Sequence, residues 1–361
     1  MPVDTLPPTQ SALLVHGPRQ AYQLESTPIP TLNSDDEVLV RVEAVGLNPV
    51  DYKSVLYNFA LPVLPALNGR DLAGTIVKIG SRVERYKVGD RVFAVSTNYR
   101  DYRTSSFQQY AVASEHCLGL APPSVSIEQS AALGVGASTA AIALSSALGL
   151  TIRNFASFAW NDGSEGELDP ATLPPRAERG DYILVWGASC VTGYFACQFA
   201  RIAGLRVIAV ACEKKHGERL QAIGVDHVVD RHDPVQAIAE VRALTGDSLK
   251  LALDCVGAQT AAYAQEALSS TGESWIVGLS GLPKQLRSGV HGRAVPIKTF
   301  HTNARVGRGL MRLIEDLIES DELVLPSVTV IEGGLAAVNE GLDKLRTGQI
   351  SFGRIVVTGI P

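Results

Sequence analysis

The chain is poor in cysteine and lacks the cysteine spacings that hold structural zinc. Its 361 residues contain 5 cysteines and 7 histidines. No two cysteines form a C-x-x-C pair, and none stands at ligand spacing from a histidine. An odd number of scattered cysteines is typical of a reduced, intracellular protein. We therefore expect a cytoplasmic protein without a structural metal.

An excess of positive charge and a membrane-length apolar run are also missing. The 32 Lys and Arg against 37 Asp and Glu give a net charge of −5, which argues against a nucleic-acid partner. We find no apolar run near the roughly 18 residues of a membrane span. The N-terminal stretch MPVDTLPPTQ does not resemble a secretory signal. With 46% apolar residues, the chain is expected to fold into about two globular domains.

The first third of the chain predicts a compact, β-rich lobe. Short runs with strand-like patterning are separated by Gly and Pro; they are Val38–Val45, Ala73–Ile79, Val88–Val95 and Phe107–Val112. Two Ala- and Leu-rich segments, Ser126–Leu133 and Ser138–Leu148, then show helical periodicity. The polar stretch Thr151–Arg179 is longer than an ordinary connection and is interpreted as an insertion.

From Asp181 onward, strands alternate with helices. The predicted strands are Tyr182–Trp186, Arg206–Ala211, His227–Val229, Leu249–Cys255 and Glu273–Gly278. The predicted helices between them are Gly193–Ala203, Glu213–Ile223, Pro234–Thr245 and Ala261–Leu268. This alternation predicts an α/β fold with a doubly wound parallel sheet and right-handed crossovers. The amphipathic helices Gly309–Ser320 and Gly334–Leu345 and a strand at Ile355–Thr358 follow. We expect one lobe at 1–135, the parallel-sheet domain at 136–300, and a return to the first lobe at 301–361.

The first strand of the parallel-sheet domain runs into a turn of the kind that binds phosphates. The turn spans Gly187–Gly193 and leads into a predicted helix, whose N-terminal N–H groups favour an anion. Cys190 and Val191 stand where further glycines are usual. An ordinary Gly-rich turn is the alternative, but the surrounding strand–helix series favours dinucleotide binding.

The end of the second strand favours NADPH over NADH. An NAD site places Asp or Glu there, to bind the ribose 2′-hydroxyl. This strand ends at Ala211 and is followed by Cys212, Glu213, Lys214 and Lys215. A small residue followed by two lysines suits a 2′-phosphate, and Arg231 adds a further cation. Glu213 opposes this interpretation, and the lysines are alternatively the solvated start of a helix.

These features together resemble the medium-chain dehydrogenase/reductase superfamily. The motifs that carry the resemblance are Val45–Lys53, Asn68–Gly74, Lys87–Val92, Gln129–Leu133 and the turn at Gly187–Gly193. The resemblance implies a GroES-like, β-barrel-type lobe joined to a Rossmann domain. Zinc alcohol dehydrogenases of this superfamily carry a Cys in the first motif and Gly-His-Glu in the second. Here those stretches read Gly46-Leu47-Asn48-Pro49 and Gly69-Arg70-Asp71, which resembles the zinc-independent branches.

Within those branches, the chain is similar to the trans-acting enoyl reductases of fungal polyketide biosynthesis. Asn48–Lys53 resembles their N-P-x-D-x-K stretch, and Gly136–Ala140 resembles their G-I-S-T-A motif. Ser189–Thr192 stands for their glycine-poor S-T-A-T turn. The resemblance implies NADPH-dependent reduction of an α,β-unsaturated thioester held by the acyl carrier protein of a highly reducing polyketide synthase, or of a synthase–peptide synthetase hybrid. It also implies a monomer.

The resemblance assigns roles to individual residues. Lys53 and Thr139 are the candidate catalytic residues, and no metal ligand is expected. The candidate substrate-binding residues are Gly136, Ala137, Ser138, Thr139 and Ala140. The candidate cofactor-binding residues are Val50, Asp51, Tyr52, Lys53, Ser189, Cys190, Val191, Thr192, Cys212, Glu213, Lys214, Lys215, Arg231, Leu279, Ser280, Ser351 and Phe352. Structural roles without function remain alternatives for three of these residues. Lys53 is alternatively a surface lysine, and Ser138 and Thr139 alternatively cap the helix that begins there.

Two other functions remain compatible with the sequence. One is a quinone or 2-alkenal reductase that acts on free small molecules. The other is a redox-inactive synthase partner, or a cyclase, built on the same scaffold. Because acyl carrier proteins are usually acidic, a basic docking patch is also expected. Its candidate members are Arg287, Arg293, Lys298, Arg305, Arg308 and Arg312.

Overall fold

The computed structural model describes residues 6–155 and 177–361. The chain divides into two compact units, which are considered separately. The first unit comprises Met1–Val135 and Phe300–Pro361, and the second comprises Gly136–Thr299. Most of the insertion predicted at 151–179 lies outside the described residues.

Sixteen strands and ten α-helices form the described part of the chain. The strands are β1 (Thr9–Val15), β2 (Gln23–Pro28), β3 (Glu37–Gly46), β4 (Ala66–Leu67), β5 (Asp71–Ile79), β6 (Arg91–Val95), β7 (Tyr110–Ser114), β8 (Leu118–Leu120), β9 (Tyr182–Trp186), β10 (Arg206–Ala211), β11 (His227–Asp230), β12 (Leu251–Asp254), β13 (Ser274–Gly278), β14 (Val290–Arg293), β15 (Val328–Glu332) and β16 (Arg354–Thr358). The helices are α1 (Pro49–Tyr57), α2 (Ile127–Ser130), α3 (Gly134–Ile142), α4 (Val191–Ile202), α5 (Glu213–Ala222), α6 (Pro234–Thr245), α7 (Ala258–Ala267), α8 (Thr299–Thr302), α9 (Ala304–Glu319) and α10 (Val338–Arg346).

Strand β3 is the central element of the first unit. It pairs antiparallel with β5, β7 and β16. A seven-stranded sheet results, and a second, three-stranded sheet has the order β2–β1–β4. Val38, Val40 and Val42 of β3 are fully buried, as the alternating pattern predicts. The β-rich first lobe predicted from the sequence is therefore confirmed.

Two short elements of the first unit differ from the sequence analysis. The predicted strand at Val88–Val95 begins only at Arg91, because Gly89 has a φ of +95° and places the preceding residues in a turn. Lys53 lies within helix α1, a helix that the sequence analysis did not predict. The helix starts where Pro49 follows Asn48, whose N–H donates to the Asp51 carboxylate at 2.8 Å.

One helical segment is apolar and long enough to span a membrane, contrary to the sequence analysis. It runs over the 21 residues Ile127–Ala147, and its most apolar window of 18 residues has a mean hydropathy of 1.3. Of its most apolar window, 89% is buried inside the protein. The segment includes α2, α3 and a single π-helical turn at Ala143–Ala147. Its apolar character is therefore explained by burial in the protein core.

The second unit contains a six-stranded sheet in which every pairing is parallel. The strand order is β11–β10–β9–β12–β13–β14. The observed bounds of β9 and β10 are those predicted, because both strands are continuous apolar runs that are buried in the sheet. The predicted doubly wound sheet is confirmed. The edge strand β14, with sequence VHGR, escaped the sequence analysis because it has no apolar pattern.

Candidate functional site

The turn between β9 and α4 is held close to the sheet by main-chain hydrogen bonds. The N–H groups of Gly187 and Ala188 donate to the Val210 carbonyl at 2.9 and 3.2 Å. Gly187 has a φ of +83°, a conformation that favours glycine. The N–H of Cys190 donates to the Gly187 carbonyl at 3.0 Å, and helix α4 begins at the next residue.

Gly193 explains why this turn functions with few glycines. A Cβ at Gly193 would lie 2.6 Å from the Gly187 carbonyl oxygen and 2.8 Å from the Ala188 Cα. Only glycine therefore lets α4 start so close to the end of β9. The first N–H groups of an α-helix have no acceptor within the helix, so those of Val191 and Thr192 suit an anion. The turn at Ser189–Thr192 fits the diphosphate of a dinucleotide.

Positive charge gathers where β10 ends. Helix α5 begins there, and Lys214 and Lys215 are exposed on its first turn. The N–H of Arg231 donates to the Ala211 carbonyl at 2.9 Å, which brings Arg231 to the end of β10. Burial lowers the pKa of His216, and the charges of Arg219, Lys215 and Arg231 lower it further. The structure thus brings the predicted residues Cys212–Lys215 and Arg231 together in a cationic setting.

An acidic residue, Asp230, lies beside this cationic region, and the sequence analysis did not single it out. Its carboxylate accepts hydrogen bonds from the N–H of His232 at 2.8 Å and from that of Glu213 at 3.1 Å. The hydrogen bond from the His232 N–H is the largest cause that lowers the pKa of Asp230, and the bond from the Glu213 N–H lowers it further. The end of β11 gives no motif that would have singled it out. Glu213 itself is exposed at the start of α5.

The residues predicted to bind substrate lie inside helix α3. The helix begins at Gly134, so Ser138 and Thr139 are interior residues, and the alternative that they cap the helix is wrong. The Ser138 hydroxyl is buried and has no hydrogen-bond partner among the residues that the structure describes. Thr139 is half-buried. Elsewhere, Leu279 and Ser280 directly follow β13, and the Leu279 N–H donates to the Asp254 carbonyl at 2.9 Å.

A buried polar cluster dominates the first unit, and we call Asn48, Asp71 and Arg354 the Asp71 cluster. The Asp71 carboxylate accepts from the Asn48 side-chain amide at 3.0 Å and lies 3.3 Å from the Arg354 guanidinium. The Val135 N–H, in the first turn of α3, donates to it at 2.6 Å. Burial raises the pKa of Asp71, against the opposing effects of Arg354 and Asn48. Arg354 also donates to the Leu47 carbonyl at 3.1 Å and to the Asn48 side chain.

A second chain of hydrogen bonds runs beside the Asp71 cluster. Arg70 donates to Asn68 at 3.0 Å and lies 4.0 Å from the centroid of the Tyr99 ring. Asn68 donates to the Tyr22 hydroxyl at 2.8 Å, which in turn donates to the Asp51 carbonyl at 2.7 Å. Burial raises the pKa of Asp51 to about 7. Arg70 and Arg354 therefore both interact with residues inside the first unit.

This set of donors does not fit a zinc ion. In the two stretches where zinc alcohol dehydrogenases carry their Cys and Gly-His-Glu, the chain offers Asn48, Arg70 and Asp71. A guanidinium is always protonated and has no lone pair for a metal. The Asp71 carboxylate is already engaged by Asn48, Arg354 and Val135. No step of the chemistry is therefore assigned to a metal at this position.

One other group in the described chain has the donor types of a metal site. The ligand atoms of Cys212, Asp230 and His232 lie within 4.8 Å of one another. They lie at the cationic end of β10, where Lys215 and Arg231 oppose a bound cation. The location suits an anion better than a metal.

The predicted residues of α1 differ in their exposure. Val50, Tyr52 and Lys53 are half-buried, whereas Asp51 is buried at the helix start. The Lys53 ammonium makes no hydrogen bond or ion pair with any residue that the structure describes. Tyr52 lines a cavity of about 400 Å³ within the first unit. Ser351 is exposed and Phe352 half-buried, just before β16, which also carries Arg354.

The sequence analysis missed Arg354 and the role of Asp71. Arg354 opens the last strand, far along the chain from Asn48, and no local motif marks it. A signal for the buried cluster was available in the sequence. Polar Asn48, Arg70 and Asp71 stand in two motifs whose neighbouring residues are mostly apolar.

Comparison with known proteins places both units in established families. Residues 192–315 match the zinc-binding dehydrogenase family, and residues 34–142 match the alcohol dehydrogenase GroES-like domain. The chain is 31% identical to the trans-enoyl reductase caaB of Aspergillus niger, over 97% of both proteins. It is 29% identical to lovC, the enoyl reductase component of the lovastatin nonaketide synthase of Aspergillus terreus, over 97% of this chain and 96% of that protein.

A solved structure shares the fold at lower sequence identity. The CurK enoyl reductase superposes with a TM-score of 0.75 at 17% identity, covering 98% of this chain and 99% of the other. At that identity the likeness concerns the fold alone.

Replacing Arg354 by Met is expected to destabilise the first unit by about 3–5 kcal/mol, because it leaves the Asp71 carboxylate buried without its cation. Urea unfolding followed by circular dichroism measures the loss. The double variant Asp71→Asn with Arg354→Met should recover much of it, since no buried charge then remains. A double variant no more stable than Arg354→Met would contradict the ion pair as the source of the effect.

Proposed function

The chain belongs to the medium-chain dehydrogenase/reductase superfamily, and we propose that it is an NADPH-dependent, trans-acting enoyl reductase of a polyketide synthase. By its family it is an oxidoreductase that acts on carbon–carbon double bonds. The observation that carries the proposal is the 31% identity to the trans-enoyl reductase caaB over 97% of both chains. The replacement of zinc-type donors by Asn48 and Arg70 supports it, because enoyl reduction needs no Lewis acid.

Conjugate reduction makes three demands on the protein. A hydride must reach the β-carbon, the thioester oxygen must be stabilised as charge develops, and the α-carbon must take a proton. A bound dihydronicotinamide supplies the hydride. The protein supplies positioning and donors aimed at the oxygen.

Lys53 is the residue that we propose to act on the substrate or cofactor. Its ammonium is half-buried and uncommitted among the described residues, unlike Arg70 and Arg354. A cation without internal partners can donate to an anionic oxygen with little cost of rearrangement. The Thr139 hydroxyl is the second proposed donor, as an interior, half-buried residue of α3. Tyr52 remains a candidate proton donor.

The cofactor site that we propose is formed by the turn at Ser189–Thr192 and the residues at the end of β10. The open N–H groups at the start of α4 suit the diphosphate. Lys214, Lys215 and Arg231 suit the 2′-phosphate that distinguishes NADPH from NADH. Leu279, Ser280, Ser351 and Phe352 stay proposed contacts of the same cofactor.

The acyl carrier protein is proposed to dock on helix α9. Arg305, Arg308 and Arg312 are exposed on this helix at spacings of three and four residues, so they share a face. Arg287 is excluded from the patch, because its guanidinium donates to three main-chain carbonyls at the end of α7. The Arg308 guanidinium lies 3.7 Å from the Glu115 carboxylate. Of the three arginines on this face, Arg305 and Arg312 are those without an ion pair to a described residue. We further propose that the enzyme acts in the cytoplasm as a monomer.

Lys53→Ser is expected to lower turnover of an α,β-unsaturated acyl-pantetheine thioester by about 100-fold, because a donor to the developing oxyanion is removed. NADPH oxidation, followed by absorbance, measures the rate. Lys78→Ala, an exposed lysine of the same unit, is the matched control and should keep the wild-type rate. Wild-type turnover of a simple quinone but not the thioester would instead favour a free small-molecule reductase. Wild-type protein that neither turns over nor binds NADPH would favour a redox-inactive partner or a cyclase.

Arg231→Ala is expected to weaken NADPH binding by about tenfold, because one charged hydrogen bond to the 2′-phosphate is lost. NADH affinity should stay within about twofold, since NADH has no 2′-phosphate. Fluorescence titration of both cofactors measures the ratio, and Arg242→Ala on the exposed side of α6 serves as the control. An equal loss for both cofactors would contradict the assignment of Arg231 to the 2′-phosphate.

The double variant Arg305→Glu with Arg312→Glu is expected to slow reduction of the carrier-bound substrate by about tenfold or more, because it reverses charge on the docking face. Reduction of the free pantetheine thioester should be unchanged. Arg242→Glu with Lys250→Glu makes the same change in net charge at exposed positions of the second unit. If both double variants slow the carrier-bound reaction equally, net charge and not the α9 face is responsible.

A further inference from the structure

Two cysteines meet at the turn that precedes helix α4. Cys190 ends this turn, and its N–H donates to the Gly187 carbonyl at 3.0 Å. Cys255 follows the neighbouring strand β12, and its N–H donates to the Trp186 carbonyl at 2.9 Å. A Cβ at Gly187 would lie 3.3 Å from the Cys255 Cβ. The two cysteines are thus anchored to the adjacent residues Gly187 and Trp186, where β9 ends.

The two side chains also contact each other. A hydrogen bond between the Cys190 and Cys255 thiols is the largest effect that raises the pKa of Cys255, and burial adds to it. Neither residue is in a disulfide in this structure. The parallel pairing of β9 with β12 brings the two positions together, although 65 residues separate them (255 − 190).

The two thiols differ in a way that suits stepwise oxidation. Cys190 is exposed, and its Sγ accepts a hydrogen bond from the Gly193 N–H at 3.3 Å, at the start of a helix. A helix N-terminus stabilises a thiolate, which is the reactive form. Cys255 is less exposed, being half-buried. Cys190 is therefore the thiol that an oxidant meets first, and Cys255 is the one placed to react with its product.

We propose that Cys190 and Cys255 are an oxidisable dithiol that closes into a disulfide and thereby weakens dinucleotide binding. A peroxide transfers one oxygen to the Cys190 thiolate, which gives a sulfenic acid and releases one water. The Cys255 thiol then attacks the sulfenic sulfur, the S–S bond forms, and a second water leaves. In sum the two thiols lose two electrons and two protons, and the peroxide is reduced to water. A dithiol reductant reverses the change.

The effect on binding follows from where the bond would form, and it rests on the proposed cofactor site. The Cys190 Sγ is the side-chain cap of α4, and a disulfide turns this sulfur toward Cys255 and away from the Gly193 N–H. The same turn supplies the N–H groups proposed to hold the diphosphate. We expect the disulfide form to bind NADPH about tenfold or more weakly than the dithiol form.

The test treats the full chain with hydrogen peroxide, blocks remaining thiols, and maps disulfides by mass spectrometry. NADPH affinity is measured by fluorescence before oxidation, after it, and after reduction with dithiothreitol. Wild type should yield a linked Cys190–Cys255 peptide and lose affinity reversibly. Cys255→Ser, which keeps the size of the side chain, should form no link, retain its affinity under peroxide, and trap a dimedone-reactive sulfenic acid at Cys190. Cys117→Ser, in the core of the first unit, should behave as wild type.

Two results would overturn the inference. One is the absence of a Cys190–Cys255 peptide in wild type under conditions that oxidise Cys190. The other is a quantitative link that leaves NADPH affinity unchanged. Peptide mapping does not depend on cofactor binding, so failure of the proposed function is seen separately, as a reduced protein that binds no NADPH. Cys255→Ala is the second variant if Cys255→Ser is unstable.

Discussion

The buried ion pair between Asp71 and Arg354 holds the first unit together. One carboxylate joins three elements that are distant in sequence: Asn48 before α1, the Val135 N–H at the start of α3, and Arg354 on the last strand. A charge taken out of water is tolerated only when its partners are complete. The closing strand β16 therefore joins the sheet in two ways. Its main chain pairs with β3, and its Arg354 side chain forms the ion pair with Asp71 on β5.

This constraint also bears on the chemistry. The positions that carry metal donors in zinc alcohol dehydrogenases are occupied here by an amide and a guanidinium with internal partners. The Asp71 carboxylate and the Asn48 amide are engaged in contacts within the first unit. Lys53, on the helix that Asn48 and Asp51 begin, is the cation that we propose to act on the substrate or cofactor. A structural network and a proposed catalytic lysine thus share one short motif.

In the second unit, helix α4 starts close to the end of β9 with few glycines, at the turn that we propose binds the diphosphate. Gly187 supplies the left-handed turn and Gly193 the close approach of α4, and a side chain at either would meet neighbouring atoms. Between them, Ser189–Thr192 need only expose main-chain N–H groups, so side chains are permitted there. This freedom allows a cysteine at position 190, and a second cysteine, Cys255, directly follows the adjacent strand β12. The proposed dithiol depends on that tolerance.

The sequence by itself determined the fold class, because periodicity reports burial directly. The parallel strands β9 and β10 are continuous apolar runs, and β3 carries its polar Arg41 and Glu43 at alternate positions between buried residues. Resemblance of short motifs then singled out Lys53 and the turn at 187–193. Only the tertiary structure decided that Lys53 lies on a helix, that Ser138 and Thr139 are interior to α3, and that Asp71 meets Arg354. It also decided that Cys190 meets Cys255. Contacts between residues so far apart in the chain depend on strand order and register, which leave no local signal.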